Sequence, residues 1–136
     1  MADNAIELDA VTKRFGDDHA LCGATFTAPV GSVLGVLGPN GAGKTTTINI
    51  LSTLVSPSTG RATVAGYDVV KQAREVRASI GLTGQYAAVD ELLTGRENLV
   101  LFARLRGLNR SQARDRADEM LETFSLTDAG NRRVST

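Results

Sequence analysis

Apolar and polar residues alternate along much of the first half of the chain. Residues 5–11 and 21–30 each place apolar side chains at about every second position, and residues 61–66 repeat the pattern. A period of two puts the apolar side chains on one face of a sheet, so each segment is predicted to be a half-exposed strand. Glycine and aspartate within residues 15–19 predict a turn between the first two strands.

Two short apolar runs lack this alternation. Residues 32–37 carry no charge and directly precede a glycine-rich loop, and residues 80–83 form a similar run. Such runs are typical of buried strands, so a parallel strand is predicted at residues 32–37 and a short apolar strand at residues 80–83. A helix is predicted to follow the loop, with Ile48, Leu51 and Leu54 facing a sheet.

The second half of the chain has helical periodicity. Thr94 and Glu97 have the spacing of a capping box, which predicts a helix that closes near Gly107. This helix is apolar nearly all round over residues 99–103, so we expect it to be covered on more than one side. The cover is either the protein's own core or another protein.

A last helix is predicted at residues 111–124, after a shorter one at residues 71–77. Its charged face offers a favourable pair between Arg114 and Asp118. The predicted apolar stripe consists of Ala113, Ala117, Met120, Leu121 and Phe124.

Composition narrows the class of protein. The 136 residues suffice for one domain, and 42% hydrophobic residues exclude wholesale disorder. The formal net charge is zero, so no overall positive field attracts nucleic acid, and no nucleic-acid partner is expected. Cys22 is the single cysteine, which indicates a reduced setting and a small, semi-buried side chain, while His19 is predicted to be a surface loop residue. No apolar stretch approaches the length needed to cross a membrane, so at a membrane another chain would hold the protein.

The glycine-rich loop carries the chemistry. Its spacing is G-x-x-x-x-G-K-T, the phosphate-binding loop of nucleotide triphosphatases. Glycines let successive backbone N–H groups turn towards phosphate oxygens, Lys44 supplies positive charge, and the Thr45 hydroxyl is suited to Mg²⁺. The predicted nucleotide-binding residues of the loop are Gly38, Pro39, Asn40, Gly41, Ala42, Gly43, Lys44, Thr45 and Thr46.

Other classes of phosphate-loop enzyme fit poorly. A GTPase would carry Asp-x-x-Gly after the loop and a later Asn-Lys-x-Asp, and neither occurs. A small phosphate kinase would need an arginine-rich lid, for which only Arg132 and Arg133 are candidates.

The amino-acid sequence of several segments resembles that of a known family. The segments 11–16, 38–46, 50–54, 65–70, 85–90 and 92–102 look like the nucleotide-binding domain of ATP-binding-cassette (ABC) transporters, closest to the ATPase subunits of daunorubicin/doxorubicin-resistance-type exporters. The likeness extends from residue 5 onward. It implies an α/β phosphate-loop core with an antiparallel β subdomain in residues 1–84. Residues 85–136 would form a glutamine loop and part of a helical subdomain.

The resemblance also implies roles for single residues. Phe15 would stack on adenine, the alternative being a core residue at a strand end. Gln85 would reach Mg²⁺ and the attacking water, so Thr45 and Gln85 are the predicted metal ligands. The cofactors would be ATP and Mg²⁺.

The partners follow from the same resemblance. They would be a membrane-spanning permease and a second ATPase subunit, at the cytoplasmic face of the membrane. The helix after Gln85 would touch the permease.

Half of the family's pattern is absent from these residues. There is no Leu-Ser-Gly-Gly-Gln-like signature, no apolar strand ending in Asp-Glu, and no later switch histidine. Residues 86–91 imitate such a strand weakly and are predicted to be a loop. We therefore expect the chain to be the N-terminal part of a longer ATPase subunit, with no catalytic residue of its own, which binds ATP without hydrolysing it alone. The alternatives are a non-catalytic regulatory module and a cassette protein of repair or translation.

Overall fold

The computed structural model describes residues 4–84 and 89–135, and the chain divides into two compact units, residues 1–82 and 83–136. Within its described residues, the first unit is built on an antiparallel sheet of four strands in the order β2-β1-β3-β4. The strands are β1 (Asn4–Phe15), β2 (Asp18–Pro29), β3 (Thr59–Val64) and β4 (Tyr67–Asp68).

The long hairpin of β1 and β2 confirms the two strands predicted from alternation. The strands reach further than predicted, so that Phe15 pairs with Asp18 and only two residues form the turn. The predicted strand at residues 61–66 is confirmed as β3, which pairs antiparallel with β1. The antiparallel β subdomain expected from the resemblance is therefore present.

Two helices complete the core of the first unit. They are α1 (Lys44–Leu51) and α2 (Ala73–Ser79), the second of which begins and ends two residues later than predicted. Apolar side chains from the sheet and both helices form one buried cluster. Its members are Leu8, Val11, Leu21, Ile50, Leu51, Ala62, Val64, Val69 and Val76.

The two strands predicted from apolar runs are wrong. No strand lies at residues 32–37 or 80–83 in the described part of the chain, and Val33 and Leu37 are 100% and 94% exposed. An apolar run becomes a strand only when a neighbouring strand satisfies its backbone N–H and C=O groups. The described strands instead pair with one another in the antiparallel sheet, so these runs have no partner.

Several predicted side-chain environments in the first unit are also wrong. Ile48 and Leu54 are exposed, because α1 buries Thr47, Ile50 and Leu51 instead. Cys22 is exposed rather than semi-buried, since it points away from the core on β2, which forms an edge of the sheet.

His19 is at the surface, as predicted. It lies in β2 rather than in a loop, opposite Arg14 in the register of the hairpin.

The second unit contains α3 (Gly95–Leu105), α4 (Arg110–Thr123) and a short 3-10 helix (Thr127–Ala129). The predicted capping box is confirmed: the Glu97 N–H donates to Thr94 Oγ1 at 3.2 Å, and the Thr94 N–H donates to Glu97 Oε2 at 2.8 Å. Asn109 and Gln112 form a second capping box at the start of α4. Both helices therefore have satisfied N-termini.

Within the described residues, the protein's own core does not cover α3 on more than one side. Its buried side chains are Asn98 and Ala103, whereas Leu101 and Phe102 are each 41% exposed and Leu105 is 72% exposed. Only one narrow face of α3 packs inward. Since core packing does not account for the outer apolar face, contact with another protein is the alternative that stays open.

The stripe predicted on α4 is confirmed at Ala113, Ala117 and Leu121, which are buried, but Phe124 is 67% exposed. Phe124 follows the last residue of α4 and therefore leaves the helical stripe. Asp118 pairs with Arg96 of α3 rather than with the predicted partner on its own helix. In the described residues, no helix is both long and apolar enough to cross a bilayer.

Candidate functional site

The glycine-rich loop curls just before α1. The Ala42 N–H donates to the carbonyl of Pro39 at 3.3 Å, which closes a turn. Gly41 and Gly43 both have φ of +83°, a left-handed conformation that side chains with a Cβ adopt at a cost. The glycines therefore stand where the backbone reverses. The exposed residues of the loop are Gly38, Pro39, Asn40, Gly41 and Ala42.

The Lys44 side chain folds back over this loop. Its ammonium donates to the carbonyl oxygens of Gly38 and Pro39, each at 2.6 Å. An ammonium has three N–H donors, so one remains for a further acceptor. An anion held by the loop would meet both this donor and a full positive charge.

The N-terminus of α1 adds partial positive charge. Its N-cap is Gly43, which has no side chain to cap the helix, and its first turn holds no acidic residue. The first N–H groups of a helix lack partners within the helix, and the helix dipole favours an anion beside them. A loop of this kind that leads into a helix N-terminus is suited to phosphate.

The start of α1 is tied firmly to its cap. Both the N–H and the hydroxyl of Thr47 donate to the Gly43 carbonyl, at 2.8 and 2.9 Å, and Thr47 is buried. The sequence pattern did not indicate a role for Thr47. A threonine in the first turn can bond back to the carbonyl four residues earlier, which is the signal that could have identified it.

Gly43 also brings the loop against the long hairpin. A Cβ at this position would lie 2.7 Å from the Ala20 carbonyl oxygen and 2.8 Å from Leu21 Cδ1. Only glycine allows so close an approach. Because Leu21 pairs with Lys13 on β1, the end of the phosphate loop packs near the end of the hairpin that carries Phe15.

Phe15 is 51% exposed, so the alternative of a core residue at a strand end is wrong. The Lys13 ammonium lies 4.9 Å from the centroid of the Phe15 ring. The sequence did not single out Lys13, although a lysine two residues from an aromatic on a strand shares its face. Stacking of Phe15 on adenine stays a prediction.

Of the two predicted metal ligands, Thr45 and Gln85, the structure describes only Thr45. Thr45 is exposed, and its hydroxyl has no hydrogen bond within the described residues, so it is available to a ligand. Thr46 is half-buried on the same turn. Gln85 lies outside the described residues. Across residues 4–84 and 89–135, no cluster of three or more His, Cys, Asp or Glu side chains is suited to a metal ion.

The glycine loop, its lysine and the helix that follows are the features of the phosphate-loop nucleotide triphosphatase fold. The model of the ABC transporter family matches residues 21–136, which is most of the chain. The chain therefore belongs to the ABC transporter family, as the sequence resemblance predicted.

Curated relatives agree with this assignment. The chain is 61% identical over 130 residues to the daunorubicin resistance ATP-binding protein DrrA2 of Streptomyces coeruleorubidus, covering 96% of this chain and 40% of the relative. It is 54% identical over 136 residues to the doxorubicin resistance ATP-binding protein DrrA of Mycobacterium tuberculosis, covering 98% and 41%. The chain thus spans about two fifths of the length of these relatives.

Solved structures confirm the fold. A nucleotide-free ATP-binding cassette from an ABC transporter superposes with a TM-score of 0.80 at 23% identity, covering 97% of this chain and 58% of the other. An ATP-binding subunit of an ABC transporter gives a TM-score of 0.76 at 26% identity, covering 95% and 54%. The predicted α/β phosphate-loop class is therefore confirmed.

Proposed function

We propose that this chain forms the ATP-binding part of an ABC exporter subunit that couples ATP hydrolysis to the efflux of a hydrophobic drug or antibiotic. The observation that carries the proposal is the loop closed around Lys44 at the N-terminus of α1. This arrangement offers backbone N–H groups, a helix dipole and a positively charged hydrogen-bond donor to a polyphosphate.

In the proposed site, the loop residues 38–46 hold the β- and γ-phosphates of ATP. The free hydroxyl of Thr45 is one ligand of Mg²⁺ and Gln85 is another. Phe15, exposed at the end of the hairpin, receives the adenine ring. The support for the adenine role is that Gly43 packs against Ala20 and Leu21, close to the strand end that carries Phe15.

The proposed substrate class rests on the relatives. Proteins named for resistance to daunorubicin or doxorubicin are 48–61% identical to the chain. A more distant relative, the ABC transporter ATP-binding protein NatA of Bacillus subtilis, is 40% identical over 134 residues. The higher identity to the resistance proteins favours drug efflux among the exporter functions.

The proposed partners are a membrane permease and a second ATPase subunit, which would place the protein peripherally at the cytoplasmic face of the membrane. The outer apolar face of α3, formed by Leu101, Phe102 and Leu105, supports a protein contact in the second unit. Exposed apolar side chains grouped on one helix are typical of interaction sites.

A cleft beside this helix offers further surface. It has a volume of about 550 Å³ and lies between α3 and α4, with Val100 and Leu101 among arginine side chains.

Turnover distinguishes this function from the alternative of a non-catalytic regulatory module. We expect the 136-residue chain to bind Mg-ATP without hydrolysing it, because its sequence has no apolar strand ending in Asp-Glu to supply a base for the attacking water. The subunit that contains this sequence at the length of its relatives should hydrolyse ATP when reconstituted with its permease. Hydrolysis is measured as phosphate release beside a Lys44→Ala control. Absence of turnover in the reconstituted, drug-supplied complex would instead favour the regulatory module.

A further inference from the structure

A lysine occupies one side of the aromatic ring at the end of the hairpin. The Lys13 ammonium lies 4.9 Å from the centroid of the Phe15 ring, within the range of a cation–π interaction. The same ammonium donates to the carbonyl oxygen of Ser56 at 2.8 Å. Lys13 is therefore held from two directions, by a backbone carbonyl and by the ring.

The ring itself has few other constraints. Phe15 is the last residue of β1, next to a two-residue turn, and 51% of its surface is exposed. An aromatic side chain at such a position is free to change rotamer unless a neighbour holds it. The ammonium covers one face and leaves the exposed remainder of the ring to a flat ligand.

We infer that Lys13 is a positioning residue for base recognition: it fixes the Phe15 ring so that the ring's free face receives the nucleobase. This inference rests on the proposed role of Phe15 in binding adenine. The complex would be a three-layer stack of ammonium, phenyl ring and base. Lys13 would contact the ring and the Ser56 carbonyl but not the base, and the phosphates are bound elsewhere, by the loop that ends at Gly43 and Lys44.

A distinctive selectivity follows from this arrangement. Loss of the ammonium should weaken ligands that contain a base and leave a bare polyphosphate unaffected. A cation–π contact at an exposed site contributes about 0.5–1 kcal/mol, which corresponds to a change of about two- to fivefold in Kd. A merely structural role for Lys13 in the strand would weaken both ligands alike.

The test is an equilibrium titration of the full chain with Mg-ATP and with magnesium tripolyphosphate, which has the phosphates and no base. Lys13→Met keeps the apolar stem and removes the ammonium, whereas Lys13→Arg keeps a cation over the ring. Lys71→Met is the matched control, since Lys71 is another exposed lysine of the same unit and the ammonium over the Phe15 ring is that of Lys13. Phe15→Leu removes the ring.

We expect Lys13→Met to weaken Mg-ATP by about two- to fivefold with tripolyphosphate unchanged. Lys13→Arg should restore the affinity, and Lys71→Met should change neither ligand. Equal weakening of both ligands by Lys13→Met, or no effect on ATP while Phe15→Leu weakens it, would overturn the inference and leave the proposed function standing. If Phe15→Leu has no effect on ATP, the adenine role of Phe15 fails, and the inference fails with it.

Discussion

The close packing of Gly43 predicts that two glycines of one loop differ sharply in their tolerance of a methyl group. Gly41 and Gly43 have the same φ of +83°, so alanine at either position bears the left-handed cost of about 1–2 kcal/mol. Around Gly41 a Cβ meets nothing within 4 Å, whereas at Gly43 it meets the Ala20 carbonyl oxygen at 2.7 Å and Leu21 Cδ1 at 2.8 Å.

The steric overlap of a Cβ with its neighbours destabilises only the Gly43 variant. Forcing a methyl group into a packed site costs about 1–3 kcal/mol, so Gly43→Ala should destabilise the protein by about 2–5 kcal/mol and Gly41→Ala by at most about 1–2. The strain at Gly43 reaches the core because α1, which starts at the next residue, buries Ile50 and Leu51. Gly41 lies in an exposed part of the loop that can relax locally.

The assay is urea unfolding of the two variants and the parent, followed by far-ultraviolet circular dichroism because the chain has no tryptophan. The free energy of unfolding should fall in the order parent, Gly41→Ala, Gly43→Ala. Equal losses for the two variants would refute the reasoning, since they would mean that the contact of the loop with β2 contributes nothing.

Three further predictions concern capping, titration and backbone strain. Thr94→Ala should lower the free energy of unfolding by about 1 kcal/mol in thermal or urea unfolding, because it removes one half of the capping box of α3. The backbone N–H of Lys71, above all, lowers the pKa of Asp68, so the stability that its charge contributes is present above the ordinary carboxyl pKa and lost as pH falls through the lowered value. The stability difference between the parent and Asp68→Asn should therefore be constant near neutral pH and shrink below about pH 4, and a difference that grows there would contradict this. Ala65 has φ of +51°, so Ala65→Gly should raise stability by about 0.5–1 kcal/mol, whereas Ala5→Gly in β1 should lower it.

The hairpin, β3 and the capped helices were predictable because their signals are local. Alternation in β1 reports burial on one face, and Thr94 with Glu97 specifies the start of α3 within four residues. The phosphate loop was predictable for the same reason. Its lysine bonds to carbonyls of the loop itself, and the left-handed turns at Gly41 and Gly43 are local as well.

The wrong predictions all concern features that depend on residues elsewhere in the sequence. The apolar run at residues 32–37 indicates a strand only if other strands lie on either side of it, which its own residues cannot specify. The apolar residues of α3 predicted cover on more than one side. The sequence pattern shows only where apolar side chains lie on the helix, and it does not show whether this protein or another packs against them. Asp118 pairs with Arg96 on the neighbouring helix and not with Arg114 on its own helix, because the packing of α3 on α4 determines which side chains come close.

The contact of Lys13 with the Phe15 ring was not predictable from the sequence for a different reason. Its position two residues before Phe15 puts both on one face of a strand, yet a lysine on an exposed strand is usually solvated. Only the carbonyl of Ser56, brought close by the pairing of β3 with β1, holds the ammonium over the ring.

The proposed function depends above all on binding of the ATP phosphates by the loop around Lys44. The most direct measurement is an equilibrium titration of Mg-ATP into the 136-residue chain beside Lys44→Ala, with Lys71→Met as a control for the lost charge. We expect saturable binding that Lys44→Ala weakens strongly and Lys71→Met leaves unchanged. Binding of equal affinity in all three proteins, or no binding in any, would contradict it.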